Sequence, residues 1–225
     1  YPTVDGNYYT YEELTEKIKE NQTDKDGKLI LLYASDTDAQ HTYIEAAKAK
    51  NYEVLLLDSP IVSHLMQKLE STKENITFAR VDADSIDKLI KKEDTAISKL
   101  SEDETKTLDE LLKEVIPSEK FMVQLEALDS DAAPFMITQP EFMRRMKEMQ
   151  ASGGGGMFGM GNMPEMYNLV VNTNSALVGD ILATEAKEKK EQLITQSLDL
   201  ARLSQGLLKG KELSDFIKRS YEMIK

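Results

Sequence analysis

At 225 residues with 40% hydrophobic side chains, the chain can build one large domain or two modest ones with real cores, and two small domains fit better. A formal charge of -12 argues against a phosphate-tracking surface, so nucleic acid is not expected as a partner. With no cysteine there is no disulfide frame or thiolate metal site, which agrees with a reducing compartment. No apolar run approaches the roughly 20 residues that span a bilayer, so no membrane partner is expected.

The first ninety residues alternate short apolar runs with helix-period segments, the rhythm of an α/β layer. Thr10 and Glu13 form a capping box for a helix through Ile18, and Lys28 to Ala34 reads as a buried strand. A helix from about Thr37 to Lys50 precedes a strand from Glu53 to Asp58. Ser59 and Pro60 then supply an N-cap and a pre-set first turn for a helix through Leu69, and Ile76 to Val81 is the third strand. The expectation is a small three-layer α/β/α subdomain over residues 1–95, an architecture that carries almost no functional information.

Charge dominates Lys91 to Thr107, and the domain boundary is placed near residue 95. Ser101 and Glu104 make a second capping box for a helix running to Ile116. Phe121, Val123, Leu125 and Ala127 alternate with Met122, Gln124 and Glu126, as in a strand with one buried face; Pro134 to Ile137 and Tyr167 to Val171 could pair with it. A helix from about Pro140 to Gln150, a glycine-rich insert from Ser152 to Asn162, and terminal helices from Glu185 to Leu203 and Lys211 to Ile224 complete an α+β domain over residues 96–225. Gly206 and Gly210 punctuate the final hairpin.

Few residues suggest chemistry. Gly154, Gly156 and Gly159 have dinucleotide-fingerprint spacing, but they follow a predicted helix where that motif needs a strand delivering them to a helix N-terminus, so they read as a plain loop. His41 and His64, the only histidines, fall on predicted helices, and no metal site is proposed. Asp82, Asp84 and Asp87 lack the remaining ligands of a calcium loop and read as solvated strand-end and capping residues. The sequons at Asn21 and Asn75 would matter only in a secreted chain. Asp36, Asp38 and Asp58 lie near strand carboxyl ends, where an α/β enzyme would place its site, yet helix capping accounts for them. No nucleophile, base and orienting group can be assembled, so no catalytic residue is named.

The methionines are unusual. Met143, Met146, Met149, Met157, Met160, Met163 and Met166 are seven of eleven, packed into one short span around Phe158. Phe142, Met146 and Met149 fall at i, i+4 and i+7 on one helical stripe, with Arg144, Arg145 and Lys147 in other directions. Such a stripe ordinarily faces a core. Four consecutive glycines do not easily form a packed element, however, and thioethers beside them suit a surface adapting to many apolar partners. The candidate set is Phe142, Met146, Met149, Met157, Phe158 and Met160. In the terminal helices, Ile194, Leu198, Ala201, Leu207, Leu208, Leu213, Phe216, Ile217, Tyr221 and Ile224 carry more apolar surface than one hairpin buries against itself, which suggests a homodimer face.

The run APFMITQPEFMRRMKEM from Ala133 to Met149 resembles the carboxy-terminal domain of the bacterial heat-shock protein 90 chaperones. LARLSQGLLKGKELSDFIKRSYEMI, from Leu200 to Ile224, is similar to that family's last two helices, which form its dimer interface. YEVLLLDSPIVSHLMQKL, from Tyr52 to Leu69, resembles the subdomain closing its middle segment. The resemblance implies a chaperone whose intact form couples ATP and magnesium binding to closure of a homodimer around unfolded or partly folded clients. The nucleotide pocket and catalytic arginine would lie upstream of Tyr1, leaving no enzyme and no cofactor in this stretch. The client-contacting helix maps onto Phe142, Met146 and Met149; Gln150 departs from it, with Met157 and Phe158 compensating. Tyr1 beginning in mid-sequence, and Lys225 ending without an acidic tail, suggest a soluble piece of a bacterial cytoplasmic protein. A purely structural dimerisation module and an α/β enzyme with an unrecognised site stay open as alternatives.

Overall fold

The computed structural model describes residues 1–59, 61–92, 96–145 and 166–224. The chain divides into two compact units: Tyr1–Asp94 joined by the segment that begins at Gln139, and Thr95–Thr138 joined by the closing part of the chain. Both mix helices with a small sheet.

In the first unit, α1 (Tyr11–Gln22) starts at the predicted capping box. Glu13 N–H donates to the Thr10 hydroxyl at 3.2 Å, and Thr10 N–H to the Glu13 carboxylate at 2.8 Å. Its Leu14 and Ile18 are buried against the sheet core. β1 (Leu29–Ala34) lies between β2 (Val54–Leu56) and β3 (Ile76–Arg80), all parallel, in the order β2-β1-β3. Leu32 is level with Val54, and Leu31 with Phe78. β1 is nearly all apolar and buried, as a central parallel strand must be. The turn into it needs Gly27, whose φ of +80° lets its N–H reach the Asp24 carbonyl at 3.1 Å. α2 (His41–Ala49), α3 (Val62–Thr72) and the short α4 (Ile86–Leu89) complete the unit.

The second unit opens on α5 (Glu102–Val115), again at its predicted box, Ser101 with Glu104. β4 (Phe121–Glu126), β5 (Phe135–Thr138) and β6 (Tyr167–Asn172) form a sheet ordered β4-β6-β5, with β6 parallel to β4 and antiparallel to β5. Three helices follow, α6 (Ala176–Ala183), α7 (Lys187–Ser204) and α8 (Gly210–Ile224). Leu108, Leu112, Phe121, Ile137, Leu169, Val171, Val178, Ile181, Ile194 and Leu198 make one core.

Several expectations shift. The helix expected from Thr37 starts at His41, because Asp36 Oδ1 accepts the N–H groups of Asp38 and Ala39 and holds the intervening residues in a turn. The strand expected over Glu53 to Asp58 pairs only at Val54–Leu56. α3 begins without a side-chain cap, and Pro60 lies outside the described residues. α6 has no counterpart among the expected elements. The segment from Gln139, expected in the second domain, is bonded into the first unit: Gln139 N–H donates to the Asp82 carbonyl at 3.0 Å.

The second unit has a polar keystone at the end of its central strand. Asn172 is fully buried; its Oδ1 accepts from Leu128 N–H at 3.1 Å and Asn174 N–H at 3.0 Å, and its Nδ2 donates to the Asp129 carbonyl at 2.8 Å. Asn172→Ala leaves these backbone groups without their partner and should cost about 2–4 kcal/mol, read as a lower urea midpoint. A midpoint unchanged within error would show that the loop holds itself.

Candidate functional site

The carboxyl ends of β1 and β3 are where an open parallel sheet would take a ligand. A helical turn, residues 141–145, is docked there instead. Residues at i, i+3 and i+4 share one side of a helix, so Glu141, Arg144 and Arg145 turn together towards the sheet. Tyr33, rising from β1, donates its hydroxyl proton to Glu141 at 2.9 Å. Arg144 is buried, donates to Tyr33 and Glu141, and lies 5.6 Å from the Tyr33 ring centre. Arg145 Nε reaches Glu141 at 2.7 Å, and its two terminal nitrogens grip Glu70 of α3 at 2.8 and 3.3 Å. Arg80 pairs with Asp82 at 2.5 and 2.9 Å, and also donates to the Gln139 side chain at 3.4 Å.

Three arginines face three carboxylates, so the cluster is formally neutral. Burial would raise the Glu141 carboxyl, but Arg144 and Arg145 more than offset it and hold it below the ordinary range. Burial, reinforced by Glu141, pushes the Tyr33 phenol far up. Burial would lower Arg145, but Glu70 and Glu141 outweigh it and raise it. Glu141, Tyr33 and Arg145 are thus each held in the charge state their neighbours need. A pair poised to exchange a proton near neutrality needs the opposite, so the arrangement favours holding the chain in position.

What the clamp presents is apolar. With three side chains turned inward, Phe142 is 71% exposed and Met143 stands beside it, also exposed. Phe142 is the one member of the sequence-derived set that can be placed; Met146, Met149, Met157, Phe158 and Met160 lie outside the described residues, as do Gly154, Gly156 and Gly159. Arg144 and Arg145 do face away from Phe142, and they are what fixes the turn. Their i, i+3 and i+4 spacing from Glu141 was visible in the sequence; their distant partners Tyr33 and Glu70 carried no local signal.

Asp82, expected to be solvated, is buried and ion-paired with Arg80. Asp84 caps Ser85 N–H at 2.8 Å, with burial pushing its carboxyl up, and Asp87 pairs with Lys50 at 2.5 Å. Asp36 caps a turn, Asp38 and Asp58 are exposed, and His41 and His64 are exposed on helices. Among the described residues no group of three or more His, Asp or Glu side chains could hold a metal ion, and no helix is long and apolar enough to cross a membrane.

The residues expected at a dimer face divide. Ile194, Leu198 and Ala201 belong to the core of the second unit, Leu208 and Phe216 are also buried, and Leu207 and Leu213 are half-buried. Ile217, Tyr221 and Ile224 are 44%, 67% and 82% exposed, spaced i, i+4 and i+7 along α8. Leu200, Leu203 and Met223, which the sequence reading passed over, are exposed as well. Buried Asp199 holds the hairpin, accepting from Arg202 at 2.9 Å and from Arg219.

No family model matches the chain. Against individual proteins, the chain is 37% identical to the chaperone protein HtpG of Bacteroides fragilis, 35% to that of Bacteroides thetaiotaomicron and 33% to that of Porphyromonas gingivalis, each over 98% of its length. The chain belongs to the HtpG family, the bacterial heat-shock protein 90 chaperones. It spans 42% of the length of these relatives. The HtpG-type segments quoted above, from Tyr52 to Leu69 and from Ala133 to Met149, supply part of α3 and the clamped turn.

Because the folded carboxyl of Glu141 is depressed, the stability it contributes is fully present above the ordinary glutamate range and is lost as pH falls through the depressed value. Glu141→Gln should cost about 1–3 kcal/mol at pH 7, and the deficit should shrink in strong acid, read from urea unfolding at pH 7 and pH 3. A deficit independent of pH would mean that shape, not charge, matters at this position.

Proposed function

We propose that this chain is the client-binding and dimerising part of an HtpG chaperone. It would be a small three-layer α/β/α subdomain followed by an α+β domain that ends in a helical dimerisation hairpin. The match to chaperones along 98% of the chain carries this reading. The exposed Phe142 and Met143, on a turn fixed by partly buried ions, support a surface for unfolded or partly folded proteins. An exposed aromatic beside a flexible thioether offers contact without demanding one shape from its partner. The Ile217, Tyr221 and Ile224 stripe supports self-association through α8, with Leu200 and Leu203 of α7 adding apolar surface. In the whole protein, ATP and magnesium binding and hydrolysis would belong to parts outside this chain, which would itself take no cofactor and act in the bacterial cytoplasm.

The client reading is tested with a permanently unfolded probe such as reduced, carboxymethylated α-lactalbumin. Phe142→Ser should weaken binding several-fold, since a buried phenylalanine contributes about 1.5–3 kcal/mol, and leave the urea midpoint unchanged because Phe142 packs on little of its own chain. Unchanged affinity would overturn Phe142 as a contact.

The dimer reading is tested at residues whose loss spares the core. Phe216 is buried in its own unit, so the double change Ile217→Asp and Tyr221→Asp is the cleaner one. Sedimentation equilibrium at low micromolar concentration should show a dimer for the parent and a monomer for the variant. A variant still dimeric would place the interface elsewhere.

A further inference from the structure

The two edges of the first sheet are closed in different ways. Along β2 the chain's own beginning lies as a backbone neighbour: Val4 N–H donates to the Val54 carbonyl at 3.0 Å and Leu56 N–H to the Pro2 carbonyl at 2.9 Å. Along β3 the closure is made by side chains. Val81 N–H reaches the Tyr33 carbonyl at 2.9 Å, and Leu29 N–H the Asn75 carbonyl at 2.8 Å, so the odd-numbered positions here address β1. Backbone groups alternate in direction along a strand, so Phe78 and Arg80 address the outer edge. There Phe78 N–H donates to Glu70 at 2.8 Å, the Phe78 carbonyl accepts from Arg145 at 2.9 Å, and Arg80 N–H donates to Glu141 at 3.3 Å. A carboxylate, a guanidinium and a carboxylate thus stand where a neighbouring strand would present a carbonyl, an amide and a carbonyl.

Sheets usually protect an edge with residues of the edge strand itself, such as a lysine, a proline or a bulge. Here the cover comes from elsewhere, and two of its three groups sit on the turn that carries Phe142. Its removal is also less costly than its hydrogen bonds suggest. Ions that leave a partly buried cluster recover hydration, which offsets much of the attraction lost. An incoming strand replaces the edge bonds one for one through its main chain, with little demand on its sequence.

We propose that the outer edge of β3 is a binding site for extended polypeptide, held closed by Glu70, Glu141 and Arg145, and that a segment of an unfolded client adds to the sheet beside Phe78 and Arg80 in their place. The nature of the occupant rests on the chaperone reading. Binding there competes with docking of the 141–145 turn, so taking up a strand releases the turn.

The test uses the whole chain and a fluorescent Val/Thr/Lys peptide of about ten residues with strong strand preference, beside an analogue N-methylated at alternate positions, which removes one edge of amide donors. Glu70→Ala opens the clamp and should raise affinity for the parent peptide about tenfold over the unaltered chain, because the competent state is more populated. The analogue should lose most binding to both. In the unaltered chain, saturating parent peptide should slow hydrogen exchange at the Phe78 and Arg80 amides, which keeps the test decisive if Glu70→Ala folds poorly. Equal binding of the two peptides, or no added protection at those amides, overturns the proposal. Concentration-dependent self-association of Glu70→Ala that excludes the peptide would make a second copy the occupant and overturn it too. The outcomes separate the two readings. If Phe142→Ser weakens binding of the unfolded probe while N-methylation is without effect, the edge site falls and the chaperone reading stands; if the peptide adds to the edge while Phe142→Ser changes nothing, Phe142 falls as a contact and the edge site stands.

Discussion

Arg145 is the residue on which the first unit's special feature depends. Its guanidinium bonds Glu141 in its own turn, Glu70 on α3 and the Phe78 carbonyl on β3, partners 4, 75 and 67 positions away from it. Lysine could not do this, since a single ammonium lacks the planar fork that meets a carboxylate with two nitrogens and still reaches a third acceptor. The half-buried setting sharpens the consequence. Such an ion network adds little net stability against an apolar alternative, but removing one member strands the others, so it fixes one arrangement. That arrangement puts Phe142 outward.

The second unit reaches order by other means. Its central strand β6 sends Leu169 and Val171 into a core shared with α5, α6 and α7, and ends at Asn172, whose amide ties the chain between β4 and β5. Apolar packing is tolerant of detail and the Asn172 hub is not, because each of its bonds satisfies a backbone group shut away from water. α7 and α8 repeat the division. Ile194, Leu198 and Phe216 are buried, while the two arginines on Asp199 and the Gln196 to Ser220 bond of 2.7 Å set how the helices pass.

What could be read from sequence follows the range of the interactions. Both capping boxes were legible because Thr10 with Glu13, and Ser101 with Glu104, are complete within four residues. The strands of the first sheet were legible from short, mostly apolar runs, though not their ends, which pairing decides: the run before Ser59 keeps only Val54–Leu56 in the ladder. α6 escaped notice because ALVGDILA is short, apolar nearly all round and carries a glycine, so no amphipathic period marks it. At the candidate site Phe142 was legible as an apolar residue in an unusual context. The clamp beneath it was not, because Tyr33 and Glu141 are 108 positions apart and neither is remarkable where it stands in the chain. Buried arginine is likewise invisible to a reading that sends charge to solvent.

The two exposed apolar surfaces differ in a way that matches the work proposed for each. On α8, Ile217, Tyr221 and Ile224 stand on a regular helix backed by buried Phe216 and Leu208. Their spacing is fixed before any partner arrives, so little ordering entropy is lost on contact, and a stripe of this kind suits one invariant, self-complementary neighbour. Phe142 and Met143 stand on a single turn whose anchoring is ionic. Ionic anchoring yields to competing charge, and to water, more readily than packed hydrocarbon does. A surface required to hold one partner for the life of the protein is best built on the first kind of support, and a surface required to take and release many partners on the second.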